Sequence, residues 1–454
     1  MLLYHSTNLK AQPVPFGQAL LKGLAPDKGL YMPETIPAFS EDELDAFRNM
    51  NYPEIAFQVG KKYLLDQISE EDLLWVVKNA YDYPVPLDPV YERKYILRLD
   101  RGPTASFKDF AARMMGRLMQ YFLKKENRSL LILTATSGDT GSAIANAFYG
   151  LDNIKVCVLF PEKEITVRQR KQMTTLGQNV QIVAVDGKFD DCQTLVKEAF
   201  SDPQLEHLQL SSANSINIGR LIPQTVYYFY AWSRLNTGLN DRAVFSVPSG
   251  NFGDMMGGVM AMKMGLPVKR FIIAVNENDE FPVYLQTGKY GRIEPSRNCI
   301  SSAMNVGHPS NLARLVSMYG GVMDEKGHIS RQADLEKMRT DLFSVSITDE
   351  ETREAIKKAY VDHNILLEPH GAVGWAGLNR YLATEGKMHD KEQLFISLET
   401  AHPAKFPEEI TRILGFDPVL PPSLQGLENK EEQFDFLGND YRAFKDYLTK
   451  KYDK

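Results

Sequence analysis

The chain has 454 residues, 43% hydrophobic and 24% charged, enough for roughly two to three domains of about 150 residues and a large core. Its net charge of −6 argues against general nucleic-acid binding and confines any anion sites to local pockets. Cys157, Cys192 and Cys299 lack the spacing of a zinc ribbon or a CxxC redox pair, so no metal site is expected and a reducing cytosol fits.

The opening segment MLLYHSTNLKAQPVPFGQALLKG lacks the long apolar core of a signal peptide. No apolar run reaches the ~18 residues of a membrane helix, so the sequence reads as cytoplasmic with no membrane partner. Residues 1–95 mix short apolar stretches, prolines and the helix-like acidic segment SEDELDAF. From about residue 95 strand-like runs alternate with helical patterns: YILRLD, SLLILTAT, KVCVLF, VQIVAV, AVFSVPS, RFIIAV and QLFISLE. Such alternation implies an α/β fold with open, mostly parallel sheets covered by helices. No linker marks a boundary, so the domains are expected to interweave. The tail after about 420 reads as a peripheral helical cap.

Ligands of an open parallel sheet bind beyond the carboxyl ends of its strands, so the residues that follow each strand carry most of the functional information. After YILRLD comes RGPTASFKDFAARMM, with helical apolar spacing from Phe107 onward and a capping box expected from Ser106 and Asp109. Lys108 falls in the first helical turn, where a cation opposes the helix dipole and is more easily deprotonated. After SLLILTA comes TATSGDTGSA, with hydroxyls on Thr136, Ser137 and Thr140, the carboxylate of Asp139, and a helix start whose free N–H groups attract an anion. The plainer reading is a glycine turn capped by Asp139.

The loop SSANSINIGR offers Asn214, Ser215, Asn217 and Arg220 as a clamp for a phosphate, or else is a solvated loop. In VPSGNFGDMMGGVMAMKMG the backbone of Gly250–Gly253 can form an N–H nest for a phosphate. There is no GxxxxGK[ST], so a nucleotide-hydrolysing loop is not supported. Gly257 and Gly258 within the following helix call for close packing or a nearby ligand. In ISLETAHPAKF, Thr400 lies at the crevice edge with His402 and Lys405 nearby. His402 and His370 are given no catalytic role; His370 is expected to shape a turn.

A lysine, a hydroxyl-rich glycine loop and a phosphate nest together suggest a phosphorylated carbonyl cofactor. GPTASFKDF, TATSGDTGSA, SSANSIN, SVPSGNFGD and TAHPAKF, in this order, resemble the threonine synthases, as does the N-terminal PFGQALLKGLAPDKGLYMPE. The resemblance runs from near residue 15 to about residue 415, and the SGDTG form with its extended N-terminus is similar to the longer branch of that family. It implies pyridoxal 5′-phosphate as cofactor and the type II fold of the tryptophan synthase β chain with an α-rich N-terminal extension.

The domains then expected are an extension (1–95), a large cofactor-binding domain (96–110 and 235–415), a small substrate-closing domain (111–234) and the C-terminal cap (416–454). The activity implied is conversion of O-phospho-L-homoserine and water to L-threonine and phosphate. A phospho-lyase releasing 2-oxobutanoate is the alternative. The oligomeric state, monomer or homodimer, is left open.

Carried over by motif, Lys108 is the Schiff-base lysine and general base. Gly250, Asn251, Phe252 and Gly253 hold the cofactor phosphate. Thr400 faces the pyridine nitrogen, which a hydroxyl need not keep protonated. Thr136, Ser137, Asp139 and Thr140 surround the substrate carboxylate and the ring oxygen, while Asn214, Ser215 and Arg220 meet the substrate phosphate. Many type II enzymes carry Asn in place of Asp139, and a carboxylate cannot donate to the ring oxygen unless protonated.

Overall fold

Two parallel sheets frame a central crevice in the computed structural model, which describes residues 1–385 and 390–452. The larger has six strands in the order Leu342–Ser346, Val268–Val275, Ala243–Pro248, Phe395–Glu399, Lys94–Arg98 and Leu87–Tyr91. All run parallel except Leu87–Tyr91, which folds back antiparallel on Lys94–Arg98. The smaller has five parallel strands in the order Asp435–Gly438, Val180–Asp186, Ile154–Pro161, Leu130–Ala135 and Leu210–Ser211. Their central strands are mostly apolar and buried along their whole length, as expected for strands covered by helices on both sides. Cys157 is one of these buried strand residues.

The chain leaves the large sheet after Arg98 and builds the helix Lys108–Glu126 and then the small sheet. It returns through the helix Leu221–Leu235 to the strand Ala243–Pro248. The carboxyl ends of Lys94–Arg98, Leu130–Ala135, Ala243–Pro248 and Phe395–Glu399 thus feed one set of loops. The paired glycines of the helix Gly253–Lys263 are explained by packing. A Cβ on Gly257 would lie 2.8 Å from the Gln224 backbone, and one on Gly258 would lie 2.7 Å from the Phe271 ring.

Three features differ from the sequence reading. The N-terminal extension has the expected helices, including Glu41–Ala46 with its Ser40–Glu43 capping box, but also a three-stranded antiparallel sheet. The C-terminal tail is more than a helical cap. Asp435–Gly438 extends the small sheet, and the helix Tyr441–Tyr452 buries Phe444 and Leu448 in that lobe's core. The edge strands Leu342–Ser346 and Asp435–Gly438 escaped notice because they are short, largely half-buried and interrupted by polar residues. Among the described residues no helix is long and apolar enough to cross a membrane.

Candidate active site

Lys108 is the first residue of its helix, but the expected Ser106–Asp109 capping box does not form. Asp109 turns its carboxylate back instead, accepting from the Thr104 amide at 2.9 Å and the Thr104 hydroxyl at 2.6 Å. The box failed because Ser106 is claimed by a neighbouring loop: it bridges Ala401, while the Phe107 amide donates to the Thr400 carbonyl at 2.8 Å. The His402 amide donates to the carbonyl of Ala105, whose φ of +54° is left-handed backbone held by this stitching. The lysine loop and the Thr400 loop are therefore one rigid unit.

Lys108 is half-buried, and among the described residues its amine makes no ion pair or hydrogen bond; Nζ lies 4.7 Å from the centre of the Phe107 ring. Burial lowers its pKa, and the cations Lys405 and Arg220 push the same way, against the carboxylates of Asp139 and Asp254. Desolvation is thus the main force easing its deprotonation. Asp254, buried at the start of the next helix, is raised by its own desolvation to about 6.

Asp139 opens the helix Asp139–Phe148 without capping it. It is instead ion-paired with Lys405 at 2.7 Å, both side chains being buried, and accepts from the Gln169 amide at 3.0 Å. Burial alone would raise this carboxyl, but Lys405 and then Lys108 hold it well below the usual carboxylate range. Asp139 is ionised and is an acceptor only. Lys405 also donates to the Thr104 carbonyl at 2.9 Å. The Thr136 hydroxyl oxygen receives the amides of Gly138 at 2.9 Å and Gly141 at 2.8 Å, so it shapes the loop. Ser137 and Thr140 remain partly open, with no side-chain hydrogen bond among the described residues.

In the third loop Asn214 accepts from the Thr134 hydroxyl at 2.5 Å. Asn217, read as a phosphate ligand, is spent on structure: it donates to Leu20 and Ser212 carbonyls and accepts from Gly219. Arg220 is buried, and its only hydrogen bond among the described residues goes to the Ala213 carbonyl at 2.8 Å. Its Nε has no partner and it makes no ion pair among the described residues; burial pulls its pKa down to about 10, against Tyr227 and the more distant carboxylate of Asp109. A cation so placed is complementary to an anion.

The amides of Gly250, Asn251 and Phe252 take no hydrogen bond among the described residues. They precede the helix Gly253–Lys263, whose first N–H groups lack intrahelical partners. A Cβ on Gly250 would stand 2.8 Å from Cα of Met304, so only glycine fits here. Thr400, buried at the end of its strand, sits 3.3 Å from Oε1 of Glu368. His402 accepts from the Ala404 amide and is pushed down to about 3, chiefly by burial, so it caps a turn as a neutral ring.

A model of pyridoxal-phosphate dependent enzymes matches residues 89–398, flanked by models of the threonine synthase N terminus over 3–81 and of the C-terminal region over 371–448. The threonine synthase of Haemophilus influenzae is 38% identical over 453 residues, covering 99% of this chain and 100% of its own. The chain belongs to the threonine synthase family. The crystal structure of pyridoxal-phosphate-bound threonine synthase from Brucella melitensis superposes with a TM-score of 0.92 at 34% identity, covering all of both chains. Maize serine racemase, 15% identical, shares the wider type II fold at a TM-score of 0.53, covering 73% of this chain and 92% of its own. The cofactor of a threonine synthase family member is pyridoxal 5′-phosphate, and the loops fit it: one partnerless amine at Lys108 and three free amides beside Gly250.

Sequence reasoning missed three residues of this site. Arg314, fully buried, donates to the carbonyls of Tyr31, Ser215 and Ile216 and to Oδ1 of Asn311, which in turn holds the Asn251 carbonyl. One guanidinium thus ties the N-terminal extension to two ligand loops. The signal was a lone cation among Leu312, Leu315 and Val316. Asp254 and Glu368 looked like ordinary helix-start acids and gave no signal beyond that.

Proposed function

We propose that this chain converts O-phospho-L-homoserine and water to L-threonine and phosphate. The observation that carries this reading is the pairing of a desolvated Lys108 amine with a buried Arg220, neither of which makes an ion pair among the described residues. One end of the crevice then handles a proton and the other a phosphate.

Lys108 binds the cofactor's carbonyl carbon, and Gly250, Asn251, Phe252 and Gly253 take its phosphate through free amides. When bound, the cofactor supplies an electron sink for negative charge at the substrate α carbon. Lys108, displaced by the substrate amine, is neutral and takes the α proton as general base; it later returns a proton to that carbon. Asp139 keeps Lys405 in place and, being ionised, does not donate to the ring oxygen. Ser137 and Thr140, with the helix start behind them, face the substrate carboxylate, and Thr136 holds that loop in shape. Arg220, with Asn214 and Ser215, receives the substrate phosphate and holds it as it leaves the γ carbon. Thr400 faces the ring nitrogen.

The large lobe, residues 96–110 and 235–415, holds the cofactor in this reading, and residues 111–234 close on the substrate. A cytosolic location belongs to it too, supported by three free, buried cysteines. Incubation with O-phospho-L-homoserine, followed by assay of threonine against 2-oxobutanoate, tests the activity. Threonine as the main product is expected; 2-oxobutanoate alone would leave only phosphate elimination.

A further inference from the structure

Beneath Thr400 lies a buried group of three carboxylates, Asp100, Glu368 and Glu399. Their charged neighbours are Arg98, 3.6 Å from Glu399, and Arg101, 3.3 Å from Asp100. Glu368 is the hub. It precedes the helix Pro369–Thr384 and caps it, accepting from the amides of His370 at 2.7 Å and Gly371 at 2.9 Å. Its Oε2 also lies 2.5 Å from Nδ1 of His370. The other ring nitrogen of His370 accepts from the Ala303 amide at 3.0 Å, so the ring hydrogen belongs on Nδ1 and points at Glu368. Among the described residues the remaining hydrogen bond of its carboxylate comes from the Thr400 hydroxyl to Oε1, while its own amide donates to Oε1 of Glu399 at 2.8 Å.

A carboxylate that already accepts three hydrogens has none to give, so the Thr400 hydroxyl is the donor in this pair. The proton available to the neighbouring acids sits elsewhere. Burial, reinforced by Glu368, raises Glu399 well above the carboxylate range, against Arg98. With its hydrogen committed to Glu368, Thr400 presents only lone pairs to the crevice. A lone pair facing an unprotonated pyridine nitrogen is repulsive; facing an N–H it is a hydrogen bond.

We propose that Glu368 is a positioning residue that turns the Thr400 hydroxyl into a hydrogen-bond acceptor, so that the ring nitrogen of the cofactor is held protonated. This rests on the assignment of Thr400 to the ring nitrogen and reverses the expectation that a hydroxyl leaves that nitrogen bare. A protonated ring withdraws electrons more strongly and gives Lys108 a more acidic α proton to remove.

The test is the 15N resonance of holoenzyme loaded with ring-15N-labelled pyridoxal phosphate. Wild type is expected in the protonated-pyridine range. In Glu368→Gln the amide oxygen, at the Oε2 position, serves His370 while the amide nitrogen, at the Oε1 position, donates to Thr400 and leaves the Gly371 amide without its acceptor. This frees the hydroxyl hydrogen for the ring, and the resonance moves to the neutral range. Thr400→Val is expected to shift it as well. A wild-type resonance in the neutral range overturns the proposal even if Glu368→Gln does not fold. So does a Glu368→Gln resonance that stays put while Thr400→Val moves it. If Thr400→Val leaves the resonance unmoved, the placement of Thr400 fails, and the proposal with it.

Discussion

Two buried arginines, Arg314 and Arg220, stand on either side of the SSANSIN loop and do opposite work. Arg314 spends its guanidinium on four oxygens of the protein, and Arg220 spends one nitrogen on one carbonyl. Burial depresses both, to about 9 and about 10. Desolvation is equal in kind at the two sites, and hydrogen bonding separates them. A saturated buried cation builds the scaffold, and an unsaturated one is held ready for a ligand.

The same contrast extends to the lysines: Lys405 is locked by Asp139 and Thr104, while Lys108 is left without a polar partner. The largest effect is therefore expected where the unsaturated cation does chemistry. Lys108→Ala should lower turnover by ~10³-fold or more, the scale of a lost general base, while circular dichroism and the unfolding midpoint of the apoprotein stay near wild type. Next comes Arg314→Met. It strands buried carbonyls at Tyr31, Ser215 and Ile216 and should cost about 3 kcal/mol or more in urea unfolding, at ~1–3 kcal/mol per unmet group. Arg220→Met is the counterpart that sharpens the comparison. It should leave apoprotein stability unchanged or raised, because a buried, unpaired cation is removed. It should raise KM for the phosphorylated substrate by ~10–100-fold, the worth of a charge-assisted contact. Equal destabilisation by the two arginine variants would break the distinction.

The smallest effect concerns Asp254. Burial lifts it from the ordinary aspartate value of 3.8 to about 6. The folded state therefore holds this proton more tightly than the unfolded state. Stability is full below the unfolded pKa and is lost as pH rises through about 6. Asp254→Asn should abolish that loss, gaining roughly 2–3 kcal/mol above pH 6.5 and nothing below pH 4, read from urea unfolding at each pH. A gain of the same size at every pH would remove the buried carboxylate as the cause.

The sequence already showed most of the architecture, because the apolar strands and their helices follow simple periodicities and the ligand loops announce themselves by glycine after a strand. What it hid was the pairing of charges. Nothing local to Asp139 reveals Lys405, 266 residues later, as the cation that keeps it ionised. The Ser106–Asp109 box matched its sequence pattern but lost to Ala401 and Thr104, partners supplied by tertiary contacts. Asn217 and Thr136 looked like ligand groups and were consumed by the loops they belong to. Side-chain type places a residue near the crevice; only the three-dimensional count of donors and acceptors decides whether anything is left for a ligand.

The central claim is that Lys108, alone of the two crevice lysines Lys108 and Lys405, has an amine with no polar partner among the described residues and a lowered pKa. Borohydride reduction of the holoenzyme, followed by peptide mapping, tests it directly. The account predicts one pyridoxyl label, on Lys108. A label on Lys405 or on a surface lysine, with Lys108 unmodified, would contradict it.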